Sequence, residues 1–473
     1  MAFTVALLRA SLPSYFPERH GVWAAAEAAL GEVCQATGAR LHVDPEVPMD
    51  AREARAALDR AEAEGAGLVL LLHGGFTMGD VSRELATWRG PVGFWAVPEP
   101  VLDGDVQLNG FVSLHMSLGL ARGVRDLRAR PAAWFHGAPS DDALRARLLR
   151  TVRALSALAA LRGARVGVLG GLAPTFHNLA VDEGALLASL GVAVAQHDIG
   201  ELQGRMRTQD AARVVAERAR MEAAAPARGV SGDGMDLSAR AALSLRDLAT
   251  EAGHAGLAVS DWPALQADPG MHPGAAFSWL EEEGLPVASE GDVLGAVTQL
   301  LARGLTGRLG CLLDLTEPDH STGRLLVWHG GGGPLHMADG AGAAWIDHPM
   351  IGRAPGGRRL GAIADLVFAP GPATVSRVAR HGRALFRMGA RVAPWEPSGF
   401  LGSRGWLDGF RVAGEDASLG DVVATVLSHG LDHHVVLTPG DHEADWAELG
   451  AWAGMATLGR RPWRDHLDAA DFT

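Results

Sequence analysis

Between positions 286 and 334 the chain concentrates residues able to do acid–base or metal chemistry, namely Glu290, Asp314 and His329, each at the edge of an apolar run. Glu290 follows PVAS and precedes a helix-like stretch starting near Asp292, while Asp314 closes GCLLDL and His329 closes RLLVWH. The C-terminal ends of strands are where α/β proteins collect their active sites. Two carboxylates brought together on adjacent strands repel unless a proton or cation is shared, and a hard divalent ion is the ordinary solution. Each residue also has a plainer reading. A single acid is more often a helix cap, a turn residue or an arginine partner, and Asp292 fits a helix N-terminus and is assigned only that. Glu317 and Asp319 belong to a solvated polar turn, and a lone histidine on an apolar stretch is commonly structural. It is the set of three at consecutive strand ends that points to a site.

The elements that must position these residues follow from apolar periodicity. FTVALL, the helix-like Val22 to Thr37, LHV at 41–43, a helical stretch at about 50–65, GLVLLLH at 67–73 and PVGFWAVPEP at 91–100 read as a parallel sheet wrapped by helices. A polar break at GAPSDD and a long arginine- and leucine-rich helix precede ARVGVLGG at 164–171, where a second strand-and-helix series begins. From about 305 the apolar runs shorten and glycine increases, as β-rich structure requires, and the last stretch from DVVATVLSHG has helical periodicity around a histidine pair. The expectation is two N-terminal α/β parallel-sheet domains, 1–155 and 156–305, followed by a β-rich C-terminal domain, 306–473. Glu290 belongs to the second; Asp314 and the histidine pair belong to the third.

Composition removes several reaction classes. All 42 basic residues are arginine, so Schiff-base and pyridoxal chemistry lack their amine and a P-loop lacks its lysine. VGVLGGLAP at 166–174 has no G-x-G-x-x-G spacing, and HGGGGP at 329–334 resembles a phosphate cradle only in glycine content. A net charge of −13 argues against a nucleic-acid partner. No run approaches the length of a membrane span, the N-terminus lacks the features of a signal peptide, and Cys34 and Cys311, each in apolar surroundings, suit reduced buried thiols. A cytoplasmic protein without an organic cofactor is expected.

ASEGDVLGA, then LLDL, then LVWHGGGGP together resemble the pattern of the L-fucose/L-arabinose isomerase family. SDWPAL at 260–265, RVGVLGGLAP, GPATVSRV at 371–378 and HHVVLTPGDH at 433–442 extend the likeness over most of the chain from about 160. Asp261 and Gly330 depart from it, each standing where the family has cysteine. The resemblance implies a metal-dependent aldose–ketose isomerase working through a cis-enediol. Glu290 and Asp314 would then bind Mn²⁺, or another divalent cation such as Mg²⁺, and serve as the acid–base pair. His434 would complete the site with His433 as the alternative, and His329 would be a further ligand. Arg9, Asn109 and Trp262 are the candidate substrate contacts, although Trp262, like Trp328, also suits a core position. A homo-oligomer, trimer or hexamer, is implied as well. Two other readings stand beside this one: a sugar-binding module without turnover, and a related metal enzyme for a modified, for instance sulfonated, hexose.

Overall fold

The computed structural model describes residues 2–127, 130–330, 332–348, 361–396 and 399–466, so Gly331 of the glycine-rich segment and the tail from 467 lie outside the described residues. The chain forms two compact units, Met1–Ala159 with Glu448–Gly454, and Ala160–Ala447 with Met455–Thr473. The architecture is α/β, with two parallel sheets followed by a β-rich mixed sheet.

In the first unit β1 (Thr4–Ala10), β2 (Arg40–Val43), β3 (Ala66–His73), β4 (Val92–Ala96) and β5 (Ala132–His136) form a parallel sheet in the order β2-β1-β3-β4-β5. Both faces are covered: Val5, Leu7, Leu68 and Leu70 pack in one apolar cluster, Ala6, Leu8, Val69 and Leu71 in another. That is why these strands read as continuous apolar runs rather than as alternation.

The second unit begins with a parallel sheet of β6 (Arg165–Leu169), β7 (Ala193–His197), β8 (Gly256–Val259) and β9 (Val287–Ala288), ordered β9-β8-β6-β7. Its remaining main strands are β10 (Cys311–Asp319), β11 (Arg324–His329), β12 (Ala344–Asp347), β13 (Ala362–Val367), β14 (Gly371–Ala379), β15 (Ala384–Val392), β16 (Ser403–Val412) and β17 (His434–Pro439). Antiparallel pairing runs β15-β14-β17-β10-β11-β16 and closes through β16 back onto β15, giving a six-stranded barrel with no free edge among these six. The helix Val293–Thr306 joins the two layers, packing on β8 on one side and on β14 and β17 on the other. It is buried almost all round, from Val293 to Leu305, as an apolar sequence such as VLGAVTQLLARGL demands. Among the described residues no helix is long and apolar enough to cross a membrane.

Two sequence expectations are corrected here. Asp314 lies inside β10 rather than at its end, and β9 and β10 belong to different sheets, because the buried helix between them carries the chain from the parallel sheet to the barrel. The histidine pair is not helical. His433 sits in a bend and His434 opens β17, HVVLTP, in which His434 to Leu437 pair with β10 and Val436 to Pro439 pair with β14.

The bridging helix is anchored by a buried acid that the chemistry above does not use. Glu281, 2% exposed, accepts from Gln299 Nε2 at 2.6 Å, while its other oxygen has no hydrogen-bond partner among the described residues. Burial pushes its carboxyl up to about 8 from 4.5. The folded protein therefore keeps a proton that the unfolded chain has released, so stability falls as pH rises from about 4.5 to about 8 and levels off above. Glu281→Gln should remove that slope and gain a few kcal/mol relative to the parent at pH 8.5 but little at pH 5, at about 1.4 kcal/mol per pKa unit. Urea denaturation at the two pH values reads this, and equal gains at both would disprove a protonated Glu281.

Candidate active site

Glu290 stands in a one-turn segment, Ser289–Gly291, between β9 and the bridging helix, with φ 62° and ψ 14°, a left-handed conformation that costs a non-glycine residue on the order of 1 kcal/mol or more. The turn is held from both sides. Asp261 accepts the Glu290 N–H at 2.8 Å and the Ser289 hydroxyl, and the Glu290 carbonyl accepts from Ala173 N–H at 3.0 Å. Gly291 is obligatory, since a Cβ there would lie 2.3 Å from the Gly171 carbonyl. The glycines of VGVLGGLAP thus serve as a tight turn that lets this backbone approach the Glu290 segment.

Asp314 and His434 are directly opposite in the β10–β17 register, the pairing that puts side chains on one face. His434 Nε2 lies 3.6 Å from Glu290 Oε2 and 3.9 Å from Asp314 Oδ1, between the two carboxylates. His433 Nε2 reaches Glu290 Oε2 at 3.1 Å, and Asn178 Nδ2 lies 2.9 Å from the opposite ring nitrogen. Glu290, His433 and His434 present one ligand atom each within 4.8 Å of one another, a group that could hold a metal ion. His329 stands beside this group, its ring centroid 5.7 Å from that of His434 and its Nδ1 accepting from Gly332 N–H. Trp262 Nε1 approaches Glu290 Oε1 at 3.5 Å, and Phe176 packs between Trp262 and His433 at centroid distances of 5.3 and 5.1 Å.

Behind His434 is a charged chain that the sequence reading did not find. Asp292 caps the bridging helix as expected, accepting from Gly295 N–H at 2.8 Å. Its carboxylate also binds His434 Nδ1 at 3.1 Å and Arg377 through both terminal guanidinium nitrogens, 2.5 and 3.0 Å away. Arg377 and Asp292 side chains are fully buried, and Arg377 turns a second contact to Asp432 at 2.8 Å. Burial works against the Asp292 charge, but Arg377 and His434 together hold its carboxyl well below the usual range. With Nδ1–H given to Asp292, the Nε2 lone pair of His434 is left available to a cation between the carboxylates, the tautomer a metal ligand needs. Burial would lower the His434 pKa, but the Asp292 hydrogen bond and the nearby carboxylates raise it. Asp314 is raised by burial, against the pull of the two histidines. The one sequence signal for this chain is an arginine inside the apolar strand GPATVSRVA, which must find an acid when buried.

A second histidine group adjoins the first. His272 Nε2 is 3.5 Å from Asp261 Oδ2, and its ring lies 4.4 Å from that of His348. Burial pushes Asp261 up to about 6, His329 down to about 3 and His348 down to about 4. These imidazoles are neutral at pH 7.

The structure brings Glu290, Asp314, His434 and Trp262 together, with His433 in contact and His329 one ring away. Arg9 and Asn109 belong to the first unit. The Arg9 terminal nitrogens bind Glu27 and the carbonyls of Asp44 and Pro45. Asn109, with φ 57°, precedes the helix Gly110–Val124 and gives its backbone N–H to Glu99, as do Gln107 and Leu108.

Fold and site together define an α/β-plus-barrel protein that gathers two carboxylates and two imidazoles, of which Glu290, His433 and His434 could hold a metal ion. No protein-family model matches the chain. It is similar to the sulfoquinovose isomerases of Priestia aryabhattai and Priestia megaterium, each 25% identical over 378 residues, or 79% of this chain and 80% of the relative. The sulfoquinovose isomerase of Alkalicoccus urumqiensis is 25% identical over 290 residues, 61% of this chain and 63% of that protein.

Proposed function

We propose that this chain is an aldose–ketose isomerase whose substrate is a sulfonated hexose of the sulfoquinovose type, and that it moves the carbonyl between C1 and C2 through a cis-enediol. The observation that carries the reading is the placement of His434 between Glu290 and Asp314 with its outer nitrogen bound to Asp292. The likeness to sulfoquinovose isomerases over four-fifths of both chains supports the reaction and the substrate class.

A divalent cation held by Glu290, Asp314 and His434, with His433 or His329 as a further ligand, would polarise the sugar's C1 and C2 oxygens and stabilise negative charge there. Glu290 takes the proton from C2 of the aldose. The electron pair forms the C1=C2 bond, and the Asp314 carboxylate passes the proton of the O2 hydroxyl to O1. Return of the first proton from Glu290 to C1, as C2=O2 forms, completes the ketose, so the enzyme ends as it began. Trp262 and Phe176 wall the Glu290 side and limit water. Such proton transfer by a positioned carboxylate is worth on the order of 10²–10⁴-fold. A homo-oligomer, trimer or hexamer, accompanies this reading, and light scattering of the purified chain measures it.

The test is incubation with sulfoquinovose and Mn²⁺ in D₂O, followed by NMR. Deuterium should enter at C2 of recovered sulfoquinovose and a ketose should accumulate, both abolished by chelator and restored by Mn²⁺. No exchange into sulfoquinovose or any aldose of a hexose and pentose panel would reject the isomerase. Binding of sugar without exchange, indifferent to chelator, would favour a non-catalytic sugar receptor.

A further inference from the structure

Behind the histidine pair lies a cavity of about 190 Å³, lined by Asn178, Leu294, Arg380, His381, His429 and Asp432 among others. It contains no member of the Glu290 group, yet shares two walls with it. Asn178 touches His433, and Asp432 precedes His433 in the chain and binds Arg377.

One wall is built at a conformational cost. The turn from β14 to β15 places Arg380, His381 and Gly382 consecutively in the left-handed region, at φ 50°, 57° and 86°. Asn and Gly occupy such positions cheaply; arginine and histidine do not. The turn is pinned from outside: Ser189 Oγ donates to the His381 carbonyl at 2.8 Å, and Asp182 N–H donates to His381 Nδ1 at 3.1 Å. A strained residue that its surroundings hold in place is the kind of outlier that marks a ligand contact. Gly382 answers the packing demand, because a Cβ there would lie 2.5 Å from Ser189 Oγ. Packing gives no such reason for an arginine at 380, which is exposed and makes no side-chain hydrogen bond or ion pair among the described residues. Among the described residues of the lining Asp432 is the one carboxylate, and Arg377 already matches its charge at 2.8 Å. Arg380, exposed at the edge of the cavity, is the arginine of the lining, and it has no side-chain partner among the described residues.

We infer that this cavity receives the sulfonate of the sugar, with Arg380 as its cation, so that Arg380 sets the preference for a sulfonated over a neutral hexose. This rests on the sulfosugar reading above. The reacting carbons lie at Glu290 and Asp314 and the anionic end beyond Asn178, one side chain away from His433. A guanidinium fork meets two sulfonate oxygens at once, and in a lysine-free chain arginine is the available cation.

Arg380→Asn separates binding from folding, because asparagine suits the left-handed turn. In the Mn²⁺-loaded full chain the KM for sulfoquinovose should rise tenfold or more with kcat within threefold, and the melting temperature should hold or rise. The KM for glucose, the hydroxyl analogue, should stay within twofold. Arg383→Asn, two residues beyond the strained pair and outside the lining, should leave both KM values unchanged. Inorganic sulfate should compete with sulfoquinovose in the parent and bind more weakly to Arg380→Asn. Sulfoquinovose turnover with a KM indifferent to Arg380→Asn overturns the cavity assignment, as does sulfate that binds without competing. Absence of sulfoquinovose turnover by the parent chain counts instead against the substrate class proposed above.

Discussion

Glu290→Gln should reduce turnover by about 10³-fold or more while leaving the protein folded. The substitution keeps the length of the side chain and its contact with Trp262 Nε1, and glutamine inherits the same left-handed backbone that Asp261 and Ala173 already hold in place. What is lost is the negative charge and the ability to carry a proton at the point where His433, His434 and Asp314 converge. The measurement is deuterium exchange at C2 under single-turnover conditions, alongside a melting curve within about 2 °C of the parent. Full exchange activity in a folded Glu290→Gln protein would end the assignment of Glu290 as the base.

Asp292→Asn should weaken Mn²⁺ binding by about 10- to 100-fold although Asp292 itself is not a proposed ligand. Its two oxygens accept from Arg377 twice, from the Gly295 N–H and from His434 Nδ1. An asparagine has one oxygen and an NH₂ group, so some donor must then face a donor. With the oxygen kept for Gly295 N–H and Arg377 Nη2, the NH₂ faces His434 Nδ1 and one Arg377 N–H, so the imidazole proton moves to Nε2 and the lone pair that would reach a metal ion is lost. Arg377, fully buried, would be left with Asp432 as its carboxylate partner, and breaking a buried pair of this kind costs about 3–5 kcal/mol. Calorimetric titration with Mn²⁺ and urea denaturation of the apo-protein report the two effects separately. If stability falls but Mn²⁺ affinity does not, Asp292 is a structural cap and ion-pair partner only. In Asp432→Asn the His434 tautomer should persist, so Mn²⁺ affinity should change by less than threefold, which separates loss of Arg377 pairing from loss of the histidine's orientation.

Local signals carried much of the architecture. The helix read as Val22 to Thr37 spans those residues, and the apolar runs at 67–73, 165–169 and 324–329 are strands, because each element is defined by a periodicity contained within itself. Asp292 is a helix cap and both cysteines are buried free thiols for the same reason. The strand expected around Asp314 exists but runs five residues further, through TEPD, since pairing with β11 overrides the polar character of that stretch. The helix expected around the histidine pair fails likewise. VVLT is apolar enough for either state, and two barrel neighbours decide for a strand.

By itself, then, the sequence determined the α/β class, the shift to β-rich structure near 305, the exclusion of amine chemistry, and the choice of Glu290, Asp314 and the histidine pair as residues of interest. The tertiary structure decided which of their atoms face one another. The Asp314–His434 register, the bond from Asp292 to His434 and the burial of Arg377 between Asp292 and Asp432 join residues 55 to 142 positions apart. Periodicity reports on which face of an element is buried, but not on which other element covers it. Those pairings follow from closure of the barrel around β10 and β17 and from the helix that delivers Glu290 and Asp292 to it.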